Sequence, residues 1–276
     1  MTSVEAKRAR FRTLHEEGCF VIPNPWDRGS ARYLAQLGFP ALATSSAGYA
    51  FSQALPDTPA ALSRGEVLAH VRDIVDAAEV PVNADFQDGY ANDLDGLEQS
   101  IRLCVATGVA GLSIEDATGD PDRPFYPLDI AVARVRAARK AIDATGCDVL
   151  LTARAEQNLI GHPDALAESI RRLRAYAQAG ADVLYAPGLR GREEMSAVVG
   201  AVAPRPVNIL IGANVGLRVA DVAALGARRI SVGSALARVA WTAFMRAARG
   251  IVEGGDFGAF SGLASTRELS ELFAPR

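Results

Sequence analysis

Acidic side chains are the residues of this sequence best placed to do chemistry. Asp85 and Glu115 each follow directly on an apolar run, Asp57 and Asp88 lie in loops after such runs, and Arg154 ends another run. Like charges brought together are costly unless a cation or shared protons neutralise them. Mg²⁺ prefers carboxylates, water and substrate oxygens, and Mn²⁺ can take its place. The set therefore predicts a hard metal ion and an anionic substrate.

The sequence also disfavours covalent catalysis by a lysine. The chain has only two lysines, Lys7 and Lys140, and neither follows a predicted strand. Schiff-base chemistry needs a lysine amine in the site. Some carboxylates could instead cap a helix, and Asp27, Asp93 and Asp116 are the candidates for this role.

Composition and charge narrow the class of protein. The chain has 276 residues, of which 49% are hydrophobic, and a net charge of −3. It has no run of Lys and Arg of the kind that binds nucleic acid or membrane surfaces. Its three cysteines lack CxxC spacing, and its charged N-terminus lacks an apolar signal region. We expect a cytoplasmic protein that binds a small molecule, not nucleic acid or a membrane.

Strand-like apolar runs alternate with helical patterns along the whole chain. Because most of these runs are continuous, we predict parallel strands that are buried on both faces. The predicted strands are Phe20–Pro23, Ala41–Ser45, Val80–Asp85, Val109–Glu115, Asp148–Arg154, Asp182–Ala186, Val207–Ile211 and Arg229–Gly233. The predicted helices between them include 64–78, 93–107, 128–145, 163–179 and 219–225.

A weak internal repeat supports this pattern. Gly38, Gly108, Gly180 and Gly226 each end a helical segment, and an apolar run begins within a few residues. Such short turns favour an α/β fold of the (β/α)8 TIM-barrel type over a doubly wound sheet, which is the alternative. We predict one barrel domain over residues 1–276, with an N-terminal helix in 1–18 and a C-terminal helical segment in 234–276. Function is then expected at the C-terminal ends of the strands.

Four motifs resemble the isocitrate lyase/phosphoenolpyruvate mutase superfamily: Thr44–Asp57, Val82–Asp85 with Gly89-Tyr90, Gly111–Asp116 and Ala153–Glu156. The similarity extends from Phe20 to Gly255. It implies a barrel whose eighth helix is exchanged between the subunits of a homodimer, often within a homotetramer. It also implies that Mg²⁺ holds a 2-oxo acid while a C–C or P–C bond is made or broken through an enolate.

The resemblance assigns roles to individual residues. It makes Asp85 a metal ligand, and it makes Asp57 and Glu115 carboxylates that bind the metal directly or through water. It makes Arg154 the group that grips the substrate carboxylate, so Arg154, Glu115 and Asp57 are the predicted catalytic residues. The hydroxyl and N–H groups that hold the pyruvyl end are assigned to Thr44, Ser45 and Ser46. Two further substrate contacts, Tyr49 and Asn208, are predicted from their positions.

Departures from the family pattern are equally informative. The usual Asp-x-Asp pair is aligned with Asn83-Ala-Asp85, with two extra residues before Gly89; Asp88 then either supplies the lost charge as a metal ligand or is a turn residue. The loop 117–126 lacks the cysteine and histidine of the lyases and the lysine of the mutases, and its one cation is Arg123.

These departures favour a lyase that cleaves a C–C bond or decarboxylates an oxaloacetate-like or 2-oxoglutarate-like dicarboxylate. Two alternatives remain open. One is a 2-oxo acid binding protein with little catalysis, and the other is an enzyme that acts on the P–C bond of a phosphonopyruvate-type compound.

Overall fold

Eight parallel strands alternate with helices in the computed structural model, which describes residues 2–58 and 61–274. The strands are β1 (Phe20–Ile22), β2 (Leu42–Ala43), β3 (Val82–Asp85), β4 (Gly111–Glu115), β5 (Leu150–Arg154), β6 (Val183–Tyr185), β7 (Val207–Leu210) and β8 (Arg229–Ser231). The helices are α1 (Val4–Thr13), α2 (Arg28–Gln36), α3 (Ser46–Ser52), α4 (Arg64–Ala77), α5 (Leu94–Val105), α6 (Leu128–Asp143), α7 (Gln157–Ile160), α8 (Ala165–Gln178), α9 (Arg192–Val202), α10 (Val219–Ala224), α11 (Ala235–Gly254) and α12 (Thr266–Leu272).

The sheet curls into a barrel. Its strand order is β1-β8-β7-β6-β5-β4-β3-β2, and every pair is parallel. Between the first and last strands of that order, the backbone N–H of Ala43 donates to the carbonyl of Pro23 at 3.1 Å. This confirms the predicted (β/α)8 fold, whereas exchange of the last helix between subunits stays a prediction.

The turns of the internal repeat are as predicted. Gly38, Gly108, Gly180 and Gly226 have φ angles of 90°, 92°, 103° and 89°. A side chain is strained in this left-handed region, so glycine ends the helix and turns the chain into the next strand. The strands themselves are shorter than predicted, because several of the predicted ends, such as Val80, Ala110 and Asp182, lie in bends.

Helix α1 covers the N-terminal end of the barrel. Phe11 is fully buried there, and the rings of Phe11 and Phe20 each meet His15 edge-on at 4.7 and 5.0 Å. Arg8 anchors the helix by donating to the carbonyls of Val109 and Val105, each at 3.0 Å. The barrel is therefore closed at this end, and ligands enter from the other.

Helix α11 is apolar and mostly exposed. Ala237 is its one buried residue, whereas Val239, Phe244 and Val252 are 66%, 62% and 86% exposed. Within residues 2–58 and 61–274, no helix combines the length and the apolar character needed to cross a bilayer.

Candidate active site

A cavity of about 380 Å³ opens at the C-terminal ends of the strands and runs into the barrel. Most of the predicted site residues line it, namely Thr44, Ser45, Ser46, Asp57, Asp85, Arg154 and Asn208. A second cavity of about 300 Å³ adjoins the first and shares Ser46, Asp57 and Arg154 with it. Glu115 lines the second cavity. The barrel thus brings the acidic residues and the arginine together, as the strand ends predict.

Arg154 lies at the centre of the acidic group. Its Nη1 is 2.7 Å from Asp85 Oδ1 and 3.1 Å from Glu115 Oε2, and its Nε donates to Glu156 Oε1 at 2.8 Å. The guanidinium also lies over the Tyr185 ring, 5.2 Å from its centroid. One cation is therefore shared by three carboxylates.

This crowding changes the proton affinities of the site. Burial lowers the pKa of Arg154, but the charges of Glu156, Glu115 and Asp85 outweigh it and raise that pKa well above its ordinary value. Burial raises the pKa of Glu115 well above its ordinary value, against the opposing charge of Arg154. Burial raises the pKa of Glu156 in the same way. Arg154 therefore stays charged.

Hydrogen bonds hold the segment after β2 against Asp85. The backbone N–H and the hydroxyl of Ser46 donate to Asp85 Oδ2 at 3.0 and 2.9 Å, and the Asp85 N–H donates to Thr44 Oγ1 at 2.8 Å. Ser45 has another task, because its hydroxyl accepts from the Gly48 N–H at 3.1 Å and caps α3. Of these three predicted substrate contacts, Thr44 and Ser46 are polar groups next to the carboxylates, and Ser45 shapes the loop.

Asp57 is the site carboxylate without a positively charged partner in the described part of the chain. Among residues 2–58 and 61–274 it has no ion-pair or hydrogen-bond partner, and burial followed by the charge of Asp85 raises its pKa. No three Asp, Glu, His or Cys side chains in those ranges converge as a ready-made metal site, since Arg154 lies between Asp85 and Glu115. The donor types nevertheless fit a hard divalent cation, which Asp85, Asp57 and Glu115 would hold.

Asp88 lies outside both cavities. Its Oδ1 accepts from the Tyr90 N–H at 2.9 Å, its Oδ2 accepts from the Tyr126 hydroxyl at 3.2 Å, and Arg134 is 3.8 Å away. Its contacts are those of a turn residue, the second of the two roles left open above. Gln87, which the sequence analysis passed over, lines the second cavity instead.

The Asp-x-Asp comparison is corrected by this arrangement. Counted from Asp85 at the end of β3, the second position of the pair is Gln87, an uncharged amide with a φ of 41°. No two-residue insertion before Gly89 is then needed. Asn83 lies deeper in the barrel, and its buried Oδ1 has no partner among the residues that the structure describes.

Of the two further substrate contacts predicted, Asn208 lines the first cavity and Tyr49 lines neither. The Tyr49 ring stacks on His70 with centroids 3.8 Å apart, and it lines neither cavity. Asn208 is buried within the barrel, where it donates to Ser231 Oγ at 2.9 Å and accepts from Arg229 Nε at 2.8 Å. Tyr49 is therefore a packing residue, and Asn208 belongs to the floor of the cavity.

The loop 117–126 forms a small flap over the second cavity. An isolated bridge joins Ala117 to Phe125, and the Thr118 N–H donates to the Pro124 carbonyl at 3.0 Å. Arg123 points outward, because its side chain is 85% exposed and pairs with Asp120 at 3.3 Å. The one cation of the loop therefore does not face the site.

Asp116 is the residue that sequence reasoning undervalued. It is buried and accepts from the Glu156 N–H at 2.9 Å, Arg172 Nη1 at 2.9 Å and the Tyr176 hydroxyl at 2.6 Å. Side chains alternate along a strand, so Glu115 faces the barrel interior and Asp116 faces the surrounding helices. That alternation was readable from the sequence, and it makes Asp116 the support that holds Glu156, which in turn orients Arg154.

Comparison with known proteins agrees with this geometry. Residues 11–252 match the family model described as phosphoenolpyruvate phosphomutase. The chain belongs to this family. Its relatives place it in the isocitrate lyase/phosphoenolpyruvate mutase superfamily, as the four motifs predicted.

Three relatives illustrate the range of this family. A solved structure from Burkholderia cenocepacia J2315, provisionally described as a lyase/mutase, has 45% identity and a TM-score of 0.94, with 99% of this chain and 98% of that chain covered. Oxaloacetate decarboxylase from Paraburkholderia xenovorans is 30% identical over 83% of this chain and 76% of its own length. The structure of oxaloacetate acetylhydrolase in complex with oxalate has 26% identity and a TM-score of 0.86, covering 99% and 95% of the two chains.

Proposed function

We propose that the protein is a carbon–carbon lyase acting on a small 2-oxo dicarboxylate through an enolate, with decarboxylation of an oxaloacetate-like compound as its reaction. The observation that carries this proposal is the arrangement of Arg154 with Asp85, Glu115 and Glu156 beside a flap that has no cysteine, histidine or lysine. The similarity to an oxaloacetate decarboxylase supports the same reaction class.

Decarboxylation suits a site with these groups. The electrons of the breaking C–C bond pass to the keto oxygen, and CO₂ leaves without needing a proton. The hydroxyl group of Thr44 and the guanidinium of Arg154 are donors that can stabilise the resulting enolate oxygen. A divalent cation, Mg²⁺ or Mn²⁺, would add Lewis-acid stabilisation of that oxygen when bound.

The enolate carbon then needs a proton. Solvent that enters through the open mouth of the cavity can supply it. Glu115 then stays available, with Asp85 and Asp57, to hold the divalent cation.

Cleavage that releases a glyoxylate-type fragment asks more of the flap. A residue of the flap must exchange a proton with the alkoxide or enolate that leaves. The cysteine or lysine of related enzymes lies at this place in the chain. Here the flap has neither cysteine nor lysine, and its one cation, Arg123, is turned toward solvent. The same gap weighs against P–C bond chemistry.

Binding and turnover measured together test the proposal against a non-catalytic 2-oxo acid binding protein. Titration calorimetry with oxaloacetate, 2-oxoglutarate and phosphonopyruvate, each with and without Mg²⁺, is run beside product analysis. Pyruvate formation from oxaloacetate above a metal-only blank is the expected result. Tight binding of every ligand without any product would favour the binding protein, and phosphate release from phosphonopyruvate would favour the P–C enzyme.

A further inference from the structure

An arginine lies at the closed end of the cavity, apart from the acidic group at its mouth. Arg229, at the start of β8, is 3% exposed and lines the cavity. Its Nε donates to Asn208 Oδ1 at 2.8 Å, its Nη2 donates to Thr152 Oγ1 at 3.2 Å, and its Nη1 is 3.4 Å from His15 Nε2. A guanidinium has five N–H donors, so two remain after these contacts.

Every one of these partners is uncharged. Asn208 contributes an amide and Thr152 a hydroxyl, and His15 is neutral because burial and the charge of Arg229 lower its pKa to about 3. The Nδ1 of His15 faces the Phe11 carbonyl at 2.8 Å and must carry the ring proton, which leaves Nε2 to accept from Arg229. Burial lowers the pKa of Arg229 to about 10, so the guanidinium keeps its charge at neutral pH.

Two other buried arginines of this protein are paired with carboxylates. Arg172 lies 2.9 Å from Asp116, and Arg134 lies 3.8 Å from Asp88. Among residues 2–58 and 61–274, no carboxylate comes within salt-bridge distance of Arg229. A buried charge without such compensation is strongly unfavourable. Because this charge lies in a cavity wall, a counter-charge can reach it from solvent.

The neighbouring cavity wall suits a small anion of one charge. The buried hydroxyls of Ser231 and Tyr185 line the same cavity, and burial raises the pKa of Tyr185 to about 12, so it stays a donor. Water in the cavity can hydrate the guanidinium, but an anion is needed to neutralise it. A divalent anion would leave a buried negative charge in place of the positive one.

The 2-oxo acid itself is not expected to supply this counter-charge. Its keto oxygen lies beside Thr44 and Arg154, whereas Arg229 contacts Thr152, two positions earlier on β5. Two residues of strand rise by about 7 Å, so the guanidinium lies below the substrate. A carboxylate that departs as CO₂ loses its charge, and pairing it with a buried cation would oppose that loss. This last step rests on the proposed function, whereas the anion site rests on the geometry of Arg229.

We propose that the closed end of the barrel binds a small monovalent anion of the chloride class, held by Arg229 beneath the 2-oxo acid. The anion neutralises the guanidinium and removes a net positive charge from beside His15. The anion and the 2-oxo acid occupy different levels of the barrel, so they bind together.

His15 reports on this site in the natural protein. The chain has three histidines, so NMR of a protein labelled in its histidine rings gives few signals, and His15→Gln identifies the one from His15. Chloride replaces a bulky sulfonate at neutral pH and constant ionic strength. We expect the His15 signal to move saturably with chloride, while the signal of His70, which stacks on Tyr49 outside both cavities, stays in place. A His15 signal that does not move, or that moves without saturation, overturns the proposal.

Substitution assigns the chloride effect to Arg229. Arg229→Gln is expected to weaken chloride binding at least tenfold, because it removes the charge that the anion neutralises. The matched control is Arg228→Gln, which removes the same charge from the neighbouring residue, outside both cavities, and should change the dissociation constant less than twofold. An unchanged dissociation constant in Arg229→Gln contradicts the assignment. If that variant does not fold, the titration of the natural protein still decides.

A further titration separates the anion site from the substrate site. Chloride affinity is measured with and without saturating 2-oxoglutarate and Mg²⁺, after calorimetry has shown that the 2-oxo acid binds. We expect the chloride dissociation constant to change less than threefold, because the two ligands lie at different levels. Displacement of chloride would show that a ligand carboxylate occupies the closed end, which overturns the proposal. Failure of the 2-oxo acid to bind would contradict the proposed function instead and leave the chloride result standing.

Discussion

At the scale of single residues, the site is a balance between one central cation and the carboxylates around it. Asp85 illustrates this, because one oxygen faces Arg154 and the other accepts from the N–H and hydroxyl of Ser46. Its position at the end of an apolar strand was enough to predict that it reaches the cavity. That the same carboxylate also holds the loop after β2 could not be read from spacing, since it depends on how that loop folds back over the barrel.

Replacing Asp85 tests this double role. Asp85→Ala removes the predicted metal ligand and frees both Ser46 and Arg154, so we expect activity to fall by at least roughly 100-fold while the fold is kept. Steady-state kinetics with circular dichroism measures both. Asp182→Asn is the matched control, because Asp182 pairs with Arg139 and the Leu151 N–H on another strand. Undiminished Mg²⁺-dependent turnover in Asp85→Ala would remove the assignment.

Arg154 offers a second test at this scale. Its planar guanidinium contacts Asp85 and Glu156 through different nitrogens, which a lysine amine cannot reproduce. We expect Arg154→Lys to weaken the binding of a 2-oxo dicarboxylate by about 1–3 kcal/mol, measured by calorimetry. An unchanged dissociation constant would show that Arg154 is only a structural ion pair.

At the scale of elements, strand ends were predictable and loop directions were not. Alternation along β4 separates Glu115 from Asp116, and this follows from the sequence. The turn after β3 does not, because Gln87 and Tyr90 take left-handed φ angles of 41° and 55° that redirect Asp88 toward Arg134. The sequence predicted Arg229 only as the first residue of a strand. Its position in the strand did not show that its side chain faces the closed interior of the barrel.

The docking of α1 on the barrel predicts a pH dependence of stability. Burial and the charge of Arg229 lower the pKa of His15 from 6.5 to about 3. In the unfolded chain this histidine takes up a proton below about pH 6.5, while the folded protein does not until near pH 3. Its stabilising contribution is therefore complete above pH 6.5 and is lost progressively as the pH falls toward 3.

Urea unfolding at several pH values measures this effect. The free energy of unfolding should fall by about 1.4 kcal/mol per pH unit from this residue between pH 6 and 4. Because His70, whose pKa burial lowers to about 4, acts in the same direction, the comparison is between the natural protein and His15→Gln. Identical slopes in the two proteins would contradict the prediction.

At the scale of the whole molecule, α11 is the element that the single chain leaves without a partner. Its exposed apolar residues include Val239, Phe244 and Val252. The barrel alone does not bury this helix. This agrees with the expectation of a homodimer or homotetramer formed through the last helix, which remains a prediction.

Sedimentation analysis tests that expectation. We expect the natural protein to sediment as a dimer or tetramer, and Phe244→Glu to shift it toward the monomer, because a charge at an apolar interface is costly to bury. A far-UV circular dichroism spectrum like that of the natural protein would show that the barrel itself is intact. A natural protein that is monomeric at micromolar concentrations would contradict the prediction.

The central claim is that this barrel decarboxylates an oxaloacetate-like substrate and lacks, in its flap, the cysteine that the lyases carry for glyoxylate-releasing cleavage. The most direct measurement places three substrates side by side with the same enzyme and Mg²⁺: oxaloacetate, isocitrate and 2-methylisocitrate. Pyruvate from the first and glyoxylate from the others are quantified against a metal-only blank. We predict enzyme-dependent pyruvate formation and glyoxylate release at the level of the blank. Fast release of glyoxylate, with oxaloacetate lost no faster than in the blank, would contradict the account.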